Sequence, residues 1–292
     1  MGKFVNPDNT AFQVALNSEI YVDKTGLIEY TNRVMDTNQA LICNSRPRRF
    51  GKSITANMLA AYYSRGCDSK QLFEGKNISK TKLYEEHLNK HDVIHLDVQW
   101  CCMDAGSAEK TVSYITQKVL CELKEEFPDV PFSKKNTLGG ALADITQKTG
   151  HKFVIIIDEW DVLIRDEAAN LKVQEEYIDF LRGLFKGTEP TKFLHLAYLT
   201  GILPIKKVRT QSALNNFEEY TMLTPANFAS YIGFTEEEVR SLYEKYSMDF
   251  EKVKHWYDGY LLGNEHVYNP KAVVSVMMRG EYQSYWSKTG TY

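Results

Sequence analysis

Ile42–Thr55 reads ICNSRPRRFGKSIT: an apolar, strand-like start, a basic turn containing proline, then Gly51-Lys52-Ser53 at the head of a helical pattern. A strand, a tight loop and a helix in that order gather backbone N–H groups, a helix N-terminus and a lysine around one point, which suits a phosphate. Lys52 offers a mobile charge for β- and γ-phosphates, and Ser53 a hydroxyl ligand for Mg²⁺. Arg48, Arg49, Phe50, Gly51, Lys52, Ser53 and Ile54 are therefore the candidate nucleotide-binding residues. One position departs from the general G-x-x-x-x-G-K-[ST] pattern, because Arg46 stands where the first glycine belongs. Glycine there normally permits a turn that a side chain would crowd, and Pro47 restricts the backbone beside it, so a loop of different shape is expected. The competing reading makes Arg46, Arg48 and Arg49 a solvated basic turn.

A second stretch, Phe153–Asp161 (FVIIIDEWD), supplies the other half of such a site. Four consecutive aliphatic residues predict a buried central strand, and Asp158 and Glu159 stand at its C-terminal end, where ligands gather in open α/β sheets. Asp158 is the candidate for the Mg²⁺ shell, and Glu159 for the base that orients and deprotonates a water attacking the γ-phosphate. Both motifs occur in the right order, about a hundred residues apart, which argues against chance. Leu194–Gly201 (LHLAYLTG) predicts a further strand ending in Thr200, whose hydroxyl would sense the γ-phosphate or fix the attacking water. A satisfied strand-end threonine is the alternative. Arg209, in the basic run Lys206 to Arg209, would neutralise transition-state charge or else be a solvated loop charge.

With 292 residues and 43% hydrophobic composition the chain can bury a full core. The net charge of −3 gives no global basic field, so nucleic acid is not supported as a partner by charge. The cysteines are odd in number and lack C-x-x-C spacing, which argues against a disulfide framework or a zinc ribbon and suits a reducing cytoplasm. MGKFVNPDNT lacks a secretory apolar stretch, no run approaches membrane-spanning length, and Asn6 rules out the myristoylation pattern, so no membrane association is expected.

Apolar runs at Ala40–Cys43, Val93–Val98, Phe153–Ile157 and Leu194–Leu199 alternate with helical patterns at Ile54–Tyr63, Ser107–Phe127 and Asn170–Lys186. That rhythm predicts an α/β fold, a parallel sheet flanked by helices. After Leu223 the character changes. Helix starts at Thr224-Pro225, Thr235 to Glu238 and Asp249 to Glu251, with no further buried strand, predict a P-loop domain over 1–223 and a small, mostly helical subdomain over 224–292. In HWYDGYLLGNEHVYNP, His255–Pro270, the aromatics would line a pocket or, as favoured here, pack a helical lid. His87, His91 and His95 are spaced by four, but His95 falls in a strand, so they do not form a metal site on one helix face.

Taken together, YVDKTGLIEY (Tyr21–Tyr30), SRPRRFGKS (Ser45–Ser53), IIIDEWD (Ile155–Asp161), YLTG (Tyr198–Gly201), LNN (Leu214–Asn216), WYDGY and VYNP (within Trp256–Pro270) resemble the predicted AAA-ATPase-like family of bacterial proteins. This is a branch of the additional-strand P-loop ATPases. The resemblance covers nearly the whole chain, and R-P-R-R-F-G-K-S is that family's own version of the loop. It implies five parallel strands with the phosphate-loop strand beside the sensor strand, then a helical region, and a base cradled near Tyr21–Thr25, where Asp23 or Thr25 would otherwise serve as a helix cap. Relatives commonly continue into a C-terminal domain resembling PD-(D/E)XK nucleases, for which no segment is evident here.

The leading expectation is an ATP-binding protein, a Mg²⁺-dependent ATPase acting as a conformational switch on a protein partner or within a homo-oligomer. A nucleotide-binding interaction module with little or no hydrolysis, or a nucleic-acid-linked motor, are the alternatives. Glu159 favours the enzyme, and the absence of an Asn-Lys-x-Asp motif favours ATP over GTP.

Overall fold

The computed structural model describes residues 2–133, 137–166, 170–205, 214–257 and 260–285, so Arg209 lies outside the described residues. Five strands form one sheet: β1 (Leu41–Ser45), β2 (Asp92–Asp97), β3 (Phe153–Asp158), β4 (Leu194–Gly201) and β5 (Glu218–Tyr220). Their order is β2-β3-β4-β1-β5, with every pairing parallel. The phosphate-loop strand thus lies beside β4. β3 is buried on both faces, which is why its sequence is continuously aliphatic and does not alternate.

Each face carries its own helical layer. Val154, Ile156, Leu196 and Tyr198 pack with Met58, Leu59 and Tyr62 of the helix Lys52–Tyr63 and with Leu27 and Ile28 of the helix Gly26–Val34. Ile155, Ile157 and Leu199 face the helices Ala108–Glu126, Leu138–Thr149 and Leu171–Phe185 through Ile115, Leu142, Tyr177 and Leu181. The outer edge of β2 is covered by Phe4–Asn6, whose backbone exchanges hydrogen bonds with Val93 and His95 and leaves less open ladder to attract another strand.

The region after Leu223 corrects one expectation. Helices Glu236–Tyr246, Phe250–Tyr257 and Pro270–Arg279 are present, but they surround a three-stranded antiparallel sheet: β6 (Phe234–Thr235), β7 (Tyr260–Leu262) and β8 (Glu265–Tyr268). Phe234, Leu262, Val267 and Tyr268 are buried there, so buried strands do occur after Leu223. These strands are too short to leave a period in the sequence. Thr235 caps its helix through a full capping box with Glu238. Tyr257 and Tyr268 are packed into this region, whereas Trp256 and Tyr260 stay more than a third exposed, so the aromatic run is mainly structural.

Candidate functional site

The C-terminal ends of β1, β3 and β4 lie side by side, with Thr200 opposite Asn44 on one flank and Asp158 on the other. The chain leaves β1 through the loop and enters the helix Lys52–Tyr63. Its left-handed positions are Arg49 (φ 72°) and Gly51 (φ 88°), and Arg46 is not one of them. A side chain at 46 therefore meets no backbone penalty, whereas Gly51 holds a conformation that favours glycine.

Arg46 does not face the loop. It is 1% exposed, with Nη1 donating to the carbonyls of Ser45 (3.0 Å) and Tyr220 (3.2 Å) and Nη2 to that of Phe228 (3.3 Å). Burial pulls its guanidinium down to about 10. Arg46 is thus no part of a solvated turn, whereas Arg48 and Arg49 are exposed. Phe50 also turns inward, packing with Ile232, Leu262 and Val267, and edge-on against Tyr260.

Lys52 is buried beneath the loop, its Nζ donating to the Pro47 carbonyl (3.2 Å) and lying 4.0 Å from Glu159 Oε1. Burial lowers the pKa of its ammonium, opposed by the charges of Glu159 and Asp158. Asp158 is 4% exposed; burial raises its carboxyl to about 6 against a hydrogen bond with Ser53. This Ser53–Asp158 pair is the donor set Mg²⁺ favours, few protein oxygens with the remaining positions left to water and phosphate. Among the described residues no cluster of three or more His, Cys, Asp or Glu side chains could hold a metal by itself.

Glu159 sits at φ 51°, a strained conformation for a residue with a side chain. Its carboxylate meets Arg165 Nη1 (3.3 Å) as well as Lys52. Thr200 is fully buried, and its hydroxyl donates to the Asn44 carbonyl (3.2 Å). Thr200 thus lies beside both halves of the site, with its hydroxyl engaged.

Asp161 was not anticipated as a site residue. Fully buried, it accepts from the backbone N–H groups of Ile202 (3.2 Å) and Leu203 (2.8 Å) and pairs with Arg165 (3.2 Å). It thereby fastens the Glu159 turn to the exit of β4. Its place in DEWD was the available signal, but its backbone partners are forty residues away.

A cleft of about 470 Å³ opens over the loop. Residues 48–55 and Glu159 form one wall, and Ile20, Tyr21, Val22 and Lys24 another; Tyr231, Phe234 and Val274 close it from the C-terminal region. Arg48, Arg49 and Lys52 line the loop side, Lys24 and Lys271 stand on the other walls, and Tyr21, Tyr231 and Phe234 add aromatic surface, a mixture of charge and apolar area that suits a nucleotide's phosphates and base. The stretch Tyr21–Lys24 therefore borders the cleft. Thr25 makes no side-chain cap and instead donates to Asp23 (2.7 Å) while accepting from the Ile78 N–H. Lys24 reaches across to Glu238 (2.5 Å) and the Ser230 carbonyl (2.8 Å).

Residues 11–210 match the model of the AAA-ATPase-like family, described as predicted AAA-ATPase. The chain belongs to that family. This AAA-ATPase-like chain is 26% identical over 283 residues to a protein of Azotobacter chroococcum mcd 1 described as "Uncharacterized protein in vnfD 5′ region". The match takes in 93% of this chain and 51% of the relative, so the chain spans about half the length of that relative. Among solved structures, the Aeropyrum pernix ORC2 protein in its ADPNP–ADP complexes matches with a TM-score of 0.37 at 14% identity, over 82% of this chain and 55% of that one. Family membership and the loop together make this AAA-ATPase-like chain an ATP-binding protein of the P-loop class. No helix among the described residues is long and apolar enough to cross a membrane.

Proposed function

We propose that the chain is a Mg²⁺-dependent ATPase whose nucleotide state is transmitted to residues 224–292, which act as a lid over the cleft. The observation that carries this reading is the convergence of Lys52, the Ser53–Asp158 pair and Glu159 at the C-terminal ends of β1 and β3, which flank β4, on one side of a cleft that also carries aromatic surface. Ser53 and Asp158 would hold the metal, which supplies charge neutralisation on the β- and γ-phosphates. Lys52 would exchange the Pro47 carbonyl for a phosphate oxygen, a stronger acceptor for a buried ammonium. Glu159 would take a proton from the attacking water after giving up its contacts with Lys52 and Arg165. Thr200 would report on the γ-phosphate through its position between Asn44 and Asp158.

Those same contacts of Glu159 favour a second reading, a nucleotide-binding module that regulates a protein partner, or a second copy of the chain, with little hydrolysis. ATP binding and phosphate release, measured in parallel with Mg²⁺, separate the two. Under the first reading wild type binds and turns over, Lys52→Ala loses binding, and Glu159→Gln binds but loses turnover by about 10²-fold or more. Wild-type binding without turnover selects the second, and absence of binding removes both.

A further inference from the structure

Arg46 takes no part in the chemistry above, yet burying a guanidinium is costly. Among the described residues no carboxylate pairs with it, and its Nε has no hydrogen-bond partner. It is held by carbonyl groups from separate segments: the end of β1 (Ser45), the edge strand β5 (Tyr220) and the turn at Phe228. At the other shoulder of the loop, the Phe50 ring is buried between Ile232 and Val267, and its carbonyl accepts the Gly233 N–H (3.2 Å). A Cβ on Gly233 would come within 2.4 Å of Val267 and 3.1 Å of Phe50, so close packing at that contact requires glycine. Both ends of the phosphate loop are therefore fastened to residues 220–233.

We infer that Arg46 is a positioning residue that couples the conformation of the phosphate loop to the segment 220–233 leading into the C-terminal region. A loop that closes on phosphates pulls on Arg46 and Phe50, and both pull on that segment. Conversely, anything that shifts the C-terminal region alters the loop's fit for nucleotide, because coupling is reciprocal. The side chain in place of the first glycine is then a gain of function for the loop and no defect in it. Restoring the general motif by Arg46→Gly should weaken the site. This inference rests on the ATP-binding reading only for its second half, since the mechanical link exists without ligand.

Hydrogen exchange by mass spectrometry on wild type, Arg46→Gly, Arg46→Lys and Phe50→Leu, each with and without Mg²⁺-ATP, tests it. Without nucleotide, Arg46→Gly and Phe50→Leu should raise exchange both in the loop at 47–51 and at 226–233, and Arg46→Lys should raise it less. With nucleotide, wild type should gain protection at 226–233, while Arg46→Gly loses that gain and binds ATP about tenfold more weakly. Cooperative thermal melting of each variant excludes global unfolding as the cause. If Arg46→Gly does not fold, Phe50→Leu carries the same expectation from the other shoulder. Unchanged exchange at 226–233 in the variants, or ATP binding by Arg46→Gly equal to wild type, overturns the coupling. Failure of wild type to bind ATP overturns the functional reading, and the nucleotide-free exchange then decides the link alone.

Discussion

At Glu159 backbone strain and ion pairing meet on the residue proposed as the base. A left-handed backbone at a residue with a side chain persists only where its surroundings over-determine it, and here Asp161 supplies that restraint. Its carboxylate fixes the turn by binding two backbone N–H groups beyond β4 together with Arg165. Asp161→Ala should destabilise the protein by about 3–5 kcal/mol, as Arg165 and the two N–H groups are left unsatisfied. Chemical denaturation measures this. Gly201→Ala tests the same corner from the other side, because a Cβ there would lie 2.4 Å from Asp161 and 2.7 Å from Trp160. A loss of about 1–3 kcal/mol is expected from the overpacking, read as a lower Tm. Lys52, Ser53, Asp158 and Glu159 were legible in the sequence because each sits in a contiguous motif on a predictable element. The burial of Arg46 was not, since its acceptors at Tyr220 and Phe228 are more than 170 residues away.

Among the elements, the four sheet strands read from apolar runs fall within a residue or two of their observed positions because long aliphatic runs have few alternatives. β5 escaped because it is three residues, Glu-Glu-Tyr, held in place by its neighbour β1 and by Arg46, with no hydrophobic pattern of its own. The helix Glu236–Tyr246 was announced by its capping box, whose second use was not. Glu238 closes the box on the Thr235 N–H (2.8 Å) and also receives Lys24 from the opposite cleft wall. Thr235→Ala should therefore cost about 1 kcal/mol as an ordinary cap. Glu238→Ala should cost more, about 1–3 kcal/mol, since Lys24 is left at 12% exposure without its carboxylate; Glu238's own 26% exposure keeps the loss below that of a deeply buried pair. Denaturant melts of the two variants side by side give the order.

At the level of the whole molecule, histidines set the acid limit. Burial holds His95, in the middle of β2, down to about 4, and His91, beside His87 and His195, down to about 3. In the unfolded chain both return to about 6.5. Below that value the unfolded state binds protons that the native state refuses, so stability is fully present above about pH 6.5 and falls as pH drops towards the folded values. Thermal melts between pH 8 and pH 5 should show Tm declining below about 6.5, a decline partly offset near pH 6 by Asp158, whose raised carboxyl binds its proton more readily in the folded state. His95→Phe, which removes one of these groups, should flatten the decline.

The order β2-β3-β4-β1-β5 also has a consequence during synthesis. β1 leaves the ribosome before any other strand of its sheet, but its two neighbours are made from residues 194–201 and 218–220. At ordinary elongation rates the wait from Ser45 to Gly201, where its first neighbour is complete, is roughly 8–31 s. During that time β2 and β3 can pair, while an apolar strand and its loop remain without a template. The phosphate-binding end of the sheet is thus among the last to be assembled, and a nascent chain released before Leu194 would carry Lys52 on a segment with no neighbouring strand to shape it.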